Sequence, residues 1–227
     1  MSALTMHAGR RRTLAAAVGL VAAGWMPAAK AQTGWPRRAL KIVVGFPGGS
    51  SPDLLARLLA EPLAQALGQT VIVENRPGAS GNIAAAQVAR ATDDHTIGLM
   101  INGNLTIAKI LNPDTPYDPL QDLTPVSLIA VAPLVLCAPA GSPVGAEFLA
   151  AARQAGNRWN HGTPGVGTVA HLGMELLKGR AGIAPVHVPY PGNPQVIAAL
   201  LANQIQMALL PPGLAMAQVR AGRLSAI

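Results

Sequence analysis

One cysteine stands in the 227 residues, so no disulfide can form within the chain. Cys137 lies in the apolar run PLVLCAP and reads as a buried structural thiol. No His-rich or Cys-rich spacing marks a metal site, and neither a metal nor a cofactor is expected. Aromatic residues make up 3% of the chain and charged residues 12%. No basic run is interleaved with aromatics, which argues against a nucleic-acid partner. The nucleophile turn GxSxG is missing; GGSSP and GASGN both fail to match it. Acids are too sparse to nominate a catalytic carboxylate pair. No catalytic residue is therefore assigned, and an exported hydrolase is the weakest functional reading.

What the chain does have is apolar content, 50% of it, with 24 glycines and 20 prolines. Such a chain buries a core through many short elements joined by tight turns. Residues 1–31 have the layout of an export signal: Arg10, Arg11 and Arg12, a short apolar run over 14–25, then AKAQ with small Ala29 and Ala31 before the cut. A periplasmic location follows as an expectation, reached by the Sec or the twin-arginine route. The formal charge of +7 falls with that segment, which holds four basic residues and no acid: 7 − 4 = +3.

From residue 40 onward strands and helices alternate. LKIVVGF, TVIVENR and TIGLMIN read as strands. PDLLARLLAEPLAQALG and IAAAQVARA read as helices, with Ser51 and Asn82 as candidate caps. This order implies parallel sheets covered by helices. NPDTPYDPLQDLTP breaks the rhythm as an extended linker. VSLIAVAPLVLCAP is then either one bent strand crossing between two lobes or two separate strands. The alternation restarts with EFLAAARQA and runs to RLSAI, which reads as the start of a strand and suggests that a C-terminal part of the fold is missing.

Four Gly-rich loops follow strands and open helices: FPGGSSPD, NRPGASGN, NGNLT and GTPGVGTVAH. In parallel sheets such loops gather at the carboxyl ends of the strands, where ligands bind. Free N–H groups at a helix start favour an anion. GTPGVGT has the glycine spacing of a nucleotide phosphate loop, but no Lys follows, which removes that loop's main charge contact. Taken together, the four loops point to an anion-binding cleft.

These pieces carry a resemblance. LKIVVGFPGGSSPDLLARLLAEPL, VIVENRPGASGNIAAAQVARA, GTPGVGTVAHLGMELL and VHVPYPGNPQVIAALLANQIQMALL resemble the substrate-binding proteins of tripartite tricarboxylate transporters, the Bug family. The resemblance implies an α/β, two-lobed periplasmic binding protein-like fold of type II, each lobe a mostly parallel sheet flanked by helices. It implies a first lobe over 32–125, a second over 126–222, and over 223–227 the start of a strand returning to the first lobe. A small carboxylate would sit between the lobes. Phe46, Pro47, Gly48, Gly49, Ser50 and Ser51 would cradle it, with Asp53 at the helix start. Thr163, Thr168 and His171 would face it from the second lobe, and Tyr190 would line the pocket. Asn102 and Asn104 match by position only. Pro191 replaces the Lys of the usual YKG. The implied function is a monomeric solute receptor that hands its carboxylate to membrane permease subunits. The alternatives are a sensing module for a signalling partner and a truncated, non-functional paralogue.

Overall fold

The structure is a computed structural model and describes residues 34–227; the expected export signal over 1–31 lies outside them. Residues 38–227 form one compact unit. Its first sheet has three parallel strands, β1 (Leu40–Val44), β2 (Val71–Asn75) and β3 (Thr96–Leu99), in the order β2-β1-β3. The central strand is the most apolar, and four of its five residues are buried. Helix α1 (Ser51–Leu67) joins β1 to β2 and ends on Gly68, whose left-handed φ of 65° closes the helix. Ser51 opens this helix rather than capping it, and Ser50, at the cap position, makes no side-chain cap bond. Helix α2 (Asn82–Ala89) joins β2 to β3. Asn82 lies inside it, with Gly81 at the cap position. The inward apolar residues Ile42, Val44 and Ala56 pack with Leu63, Val71, Val73, Ile97 and Leu99.

After β3 a π turn (Gly103–Ile107) runs into the one-turn helix α3 (Ala108–Leu111). Residues 123–134 carry no regular structure. The apolar run therefore forms neither a long bent strand nor two strands. Only β4 (Val135–Pro139) is a strand, while Val126, Leu128 and Val131 are at least 80% exposed, with no neighbouring strand to pair and cover them.

The second sheet holds β4, β5 (Asn160–Thr163), β6 (Val186–Pro189), β7 (Met207–Leu210) and β8 (Leu224–Ala226), in the order β6-β5-β7-β4-β8. Helices α4 (Gly145–Ala155), α5 (Val169–Ala181), α6 (Asn193–Leu201) and α7 (Pro212–Arg220) connect these strands. Strands β6, β5 and β7 are parallel; β4 runs against β7 and β8. Side chains alternate across this sheet. Cys137 and Ala208 enter one core with Val196, Leu200 and Leu210. Ala138 and Met207 enter the other with Phe148 and Met174. Cys137 is fully buried, and burial pushes its thiol up to about 11, so it stays protonated.

Residues 224–226 form the expected strand: Leu224–Ala226 pairs with β4, Cys137 facing Ala226 and Pro139 facing Leu224. Gly222, at a left-handed φ of 66°, turns the chain after α7, and Leu224 is buried against Cys137's side of the sheet. Among the described residues no helix is long and apolar enough to cross a membrane.

Candidate functional site

The loops that follow β1, β2, β3, β5 and β6 all leave the carboxyl ends of their strands, as parallel pairing requires. The two sets of loops touch. A Cβ placed on Gly103 would come 2.7 Å from the Gly167 carbonyl oxygen, and one on Gly192 would come 2.8 Å from Pro47 Cδ. One on Gly165 would come 2.3 Å from Ser80 Oγ. Glycine is needed at Gly165 and Gly167 for a second reason, since their φ values are 124° and 79°.

Within the first sheet Gly45 lies against Gly81, whose Cα and carbonyl oxygen would be 2.6 and 2.8 Å from an added Cβ. Backbone cannot swing aside as a flexible side chain does. Gly45→Ala is expected to lower stability by about 2 to 3 kcal/mol, in the range of overpacking. A urea unfolding curve measures this; a loss below about 0.5 kcal/mol would mean that the loops separate freely.

Asp53 builds the first loop. Its Oδ2 accepts the Gly49 N–H at 2.9 Å, and its Oδ1 accepts from Arg57 Nε at 3.0 Å and Asn75 Nδ2 at 2.9 Å. Asn75 Nδ2 also donates to the Phe46 carbonyl at 2.9 Å. Burial alone would raise the Asp53 pKa; the hydrogen bonds from Arg57, Gly49 and Asn75 outweigh it and hold the carboxyl below its ordinary value. Gly48 and Gly49 are exposed, Phe46 and Ser50 are buried, and Pro47 and Ser51 are partly buried.

Asn104 is 2% exposed and clamps two loops, donating to the Ser80 carbonyl at 3.0 Å and to Asn82 Oδ1 at 2.7 Å. Tyr117 completes that network, its hydroxyl 2.7 Å from the Asn104 carbonyl oxygen and 2.9 Å from Asn82 Oδ1. Asn102 is exposed, and its carbonyl accepts from the Thr106 hydroxyl. A cavity of about 270 Å³ opens here between the two sets of loops, walled by Ser80, Asn82, Gly103, Leu111, Val166 and Gly167 among others. None of the thirteen residues expected from sequence lines it; its walls come from the loop after β2, from Gly103 and α3, and from Val166 and Gly167 in the loop after β5.

In the second sheet Thr168 caps α5. Its hydroxyl accepts the His171 N–H at 3.4 Å and donates to the Gly165 carbonyl at 2.8 Å. Thr163 is fully buried, with Oγ1 2.6 Å from His187 Nε2. His171 Nδ1 accepts the Gly167 N–H at 3.2 Å. The Tyr190 N–H donates to the Thr163 carbonyl, and the Tyr190 side chain packs against the core of Val196 and Leu200.

Residues 55–227 match the family described as "Tripartite tricarboxylate transporter family receptor". The chain belongs to this family. A UPF0065 protein of Bordetella pertussis is 36% identical over 196 residues, 85% of this chain and 60% of that protein. Protein BugT of the same organism is 32% identical over 197 residues, again 85% of this chain and 60% of that protein. Among solved structures, an R. palustris protein with adipate is 31% identical, with a TM-score of 0.82 over 86% of this chain and 66% of that one. MatC from Rhodopseudomonas palustris, with bound malate, is 31% identical, with a TM-score of 0.78 over 85% and 66%. The chain thus spans about three fifths of the length of the relatives it matches. Its fold is the α/β periplasmic binding protein-like fold of these relatives, with parallel sheets flanked by helices.

Behind the second-sheet loops of this family member lies a stack of three imidazoles. The His161 and His187 ring centroids are 4.9 Å apart, and those of His171 and His187 4.4 Å. His161 is fully buried, and neither ring nitrogen has a hydrogen-bond partner. Glu175 Oε1 lies 3.8 Å from its Nε2 but is already held by Lys178 Nζ at 2.8 Å. Burial, with the neighbouring His187, lowers the His161 pKa to about 4. Burial also lowers that of His187. Among the described residues no three His, Cys, Asp or Glu side chains are grouped to hold a metal ion.

The sequence reading gave no site role to Asn75, Arg57, Tyr117 and His187, and took Asn82 only as a helix cap. Asn75 sits inside the quoted VENRPGA and so had a signal. Tyr117 lies in the linker and had none, because its partners are 13 and 35 residues away.

Proposed function

We propose that this chain is an extracytoplasmic solute-binding receptor for a small carboxylate, without chemistry of its own, which delivers its ligand to a membrane permease. The observation that carries this reading is the meeting of Gly-rich loops from both sheets: the loop after β1 abuts the loop after β6, and the loops after β2 and β3 abut the loop after β5. Backbone N–H groups at the helix starts that follow such loops attract a carboxylate without a cationic side chain. Adipate and malate are named with two of the similar structures, which supports the ligand class. The first lobe is the sheet of β1 to β3 and the second that of β4 to β8, with Phe46, Pro47, Gly48, Gly49, Ser50, Ser51, Thr163 and Thr168 nearest the ligand. Asp53, Asn104 and His171 hold those loops in shape. Export to the periplasm and a permease partner complete the reading.

The test is thermal unfolding against a panel of mono-, di- and tricarboxylates. A ligand at about 100 times its Kd stabilises the native state by about 2.7 kcal/mol and raises the midpoint by several degrees. A cooperative transition that no carboxylate moves would sink the reading.

A further inference from the structure

We infer that Asn82 is a specificity-determining residue of the cleft. Its amide NH2 opens into the cavity between the two sets of loops and receives an oxygen acceptor at the far end of a carboxylate ligand. The inference rests on the carboxylate-receptor reading and deepens it.

An asparagine amide offers an acceptor on one side and a donor on the other, and here the backbone decides which side faces where. Asn104 is fixed first. Its Oδ1 accepts the Ile101 N–H at 3.3 Å, and its Nδ2 donates to the Ser80 carbonyl at 3.0 Å. The same Nδ2 lies 2.7 Å from the Asn82 amide, which must therefore turn its oxygen toward Asn104. The Tyr117 hydroxyl stands 2.9 Å from that oxygen and faces the same side. Asn82 Nδ2 is left without a protein partner, and it is not among the buried unpaired atoms. Asn82 walls the cavity, so its free NH2 is reached from there.

The surroundings suit an acceptor. Asn112 Oδ1 is taken by the Asp114 N–H at 3.1 Å, which leaves the Asn112 NH2 for the same cavity. No acidic side chain lines the cavity to oppose an incoming oxygen, and Ala108, Leu111 and Val166 supply apolar wall for methylene groups. The first acid group of the ligand is close by in the fold. Gly81, next to Asn82, lies against the Phe46 ring, and Thr163 Oγ1 accepts the N–H of Gly165, next to Val166. One ligand can thus rest its acid group on the loops after β1 and β5 and its far end on Asn82.

Calorimetric titration with adipate, caproate and ε-aminocaproate tests this, with succinate, butyrate and γ-aminobutyrate as a shorter set. Each set shares a carbon skeleton and differs only at the far end, which is an acceptor, a methyl or an ammonium group. In the set that binds tighter, the diacid is expected to exceed the other two by at least about fivefold, the size of one hydrogen bond. Asn82→Asp keeps an oxygen for Asn104 and Tyr117 and turns the cavity-facing NH2 into a carboxylate oxygen. It should lower the ratio of diacid to amino-acid affinity at least about tenfold and leave the monoacid within about threefold. It should not lower the unfolding midpoint, because an acid in the first turn of α2 suits the helix dipole. Equal or reversed binding within both sets overturns the inference, as does a ratio that Asn82→Asp leaves unchanged. A folded protein that binds none of the six overturns it too; if no acid of the unfolding panel shifts the transition either, the receptor reading falls with it.

Discussion

Asp53→Ala is expected to lower stability by about 3 kcal/mol and to abolish carboxylate binding. The carboxylate is 2% exposed and gathers three donors from three segments: Gly49 of the loop, Arg57 of α1 and Asn75 at the end of β2. Removing it strands the Gly49 N–H and frees Asn75, which also holds the Phe46 carbonyl. The loop between β1 and α1 then loses its shape. Asp53→Asn keeps the size but not the charge, and should cost less, about 1 to 2 kcal/mol. Urea unfolding separates the two variants, and calorimetry reads the binding. The pH dependence has a definite sign. The folded-state pKa lies below the ordinary value of 3.8, so Asp53's contribution is complete above that value and is lost as pH falls through the folded pKa. A variant with wild-type stability and affinity would remove Asp53 from the loop's construction.

The second large effect is acid destabilisation through His161. Its folded-state pKa of about 4 lies below the ordinary 6.5. The unfolded chain therefore binds the extra proton first, and stability falls as pH drops from 6.5 toward 4. A shift of that size corresponds to roughly 2 to 3 kcal/mol lost between about pH 7.5 and 4.5. The groups facing the ring are Glu175, Lys178 and His171 on α5 and His187 on β6; only Glu175 favours the charged form, and burial outweighs it. His161→Phe keeps a flat ring in the stack and removes two buried nitrogens without partners. It is expected to be neutral or stabilising at pH 7.5, and to remove most of the loss at pH 4.5. His187, whose pKa is also lowered, accounts for the slope that remains. Parallel urea curves of both proteins at the two pH values decide the matter; equal losses would clear His161.

The alternation of strand and helix was legible because a period of two and a period near 3.6 leave different traces in apolar residues. LKIVVGF became β1, and GTPGVGTVAH became the turn and cap of α5 with Thr168 in the capping position. The long apolar run was not legible. Apolar content shows that a segment prefers burial, but not whether a neighbouring strand covers it, and Val126, Leu128 and Val131 stay exposed. The final strand was legible in RLSAI, but its partner β4 was not, because local pattern carries no information on the partner strand.

The sequence by itself determined the α/β class, the Gly-rich helix starts, the family and the lack of a phosphate-loop lysine, since each depends on residues close together in the chain. Only the tertiary structure decided how Asp53 is used, which loops touch, that three histidines stack, and which way Asn104 turns the Asn82 amide. Most of those features join residues far apart in the chain, from His171 and His187 in the stack to Pro47 and Gly192 between the loops, and their physics is contact and exclusion of water, which no local pattern encodes.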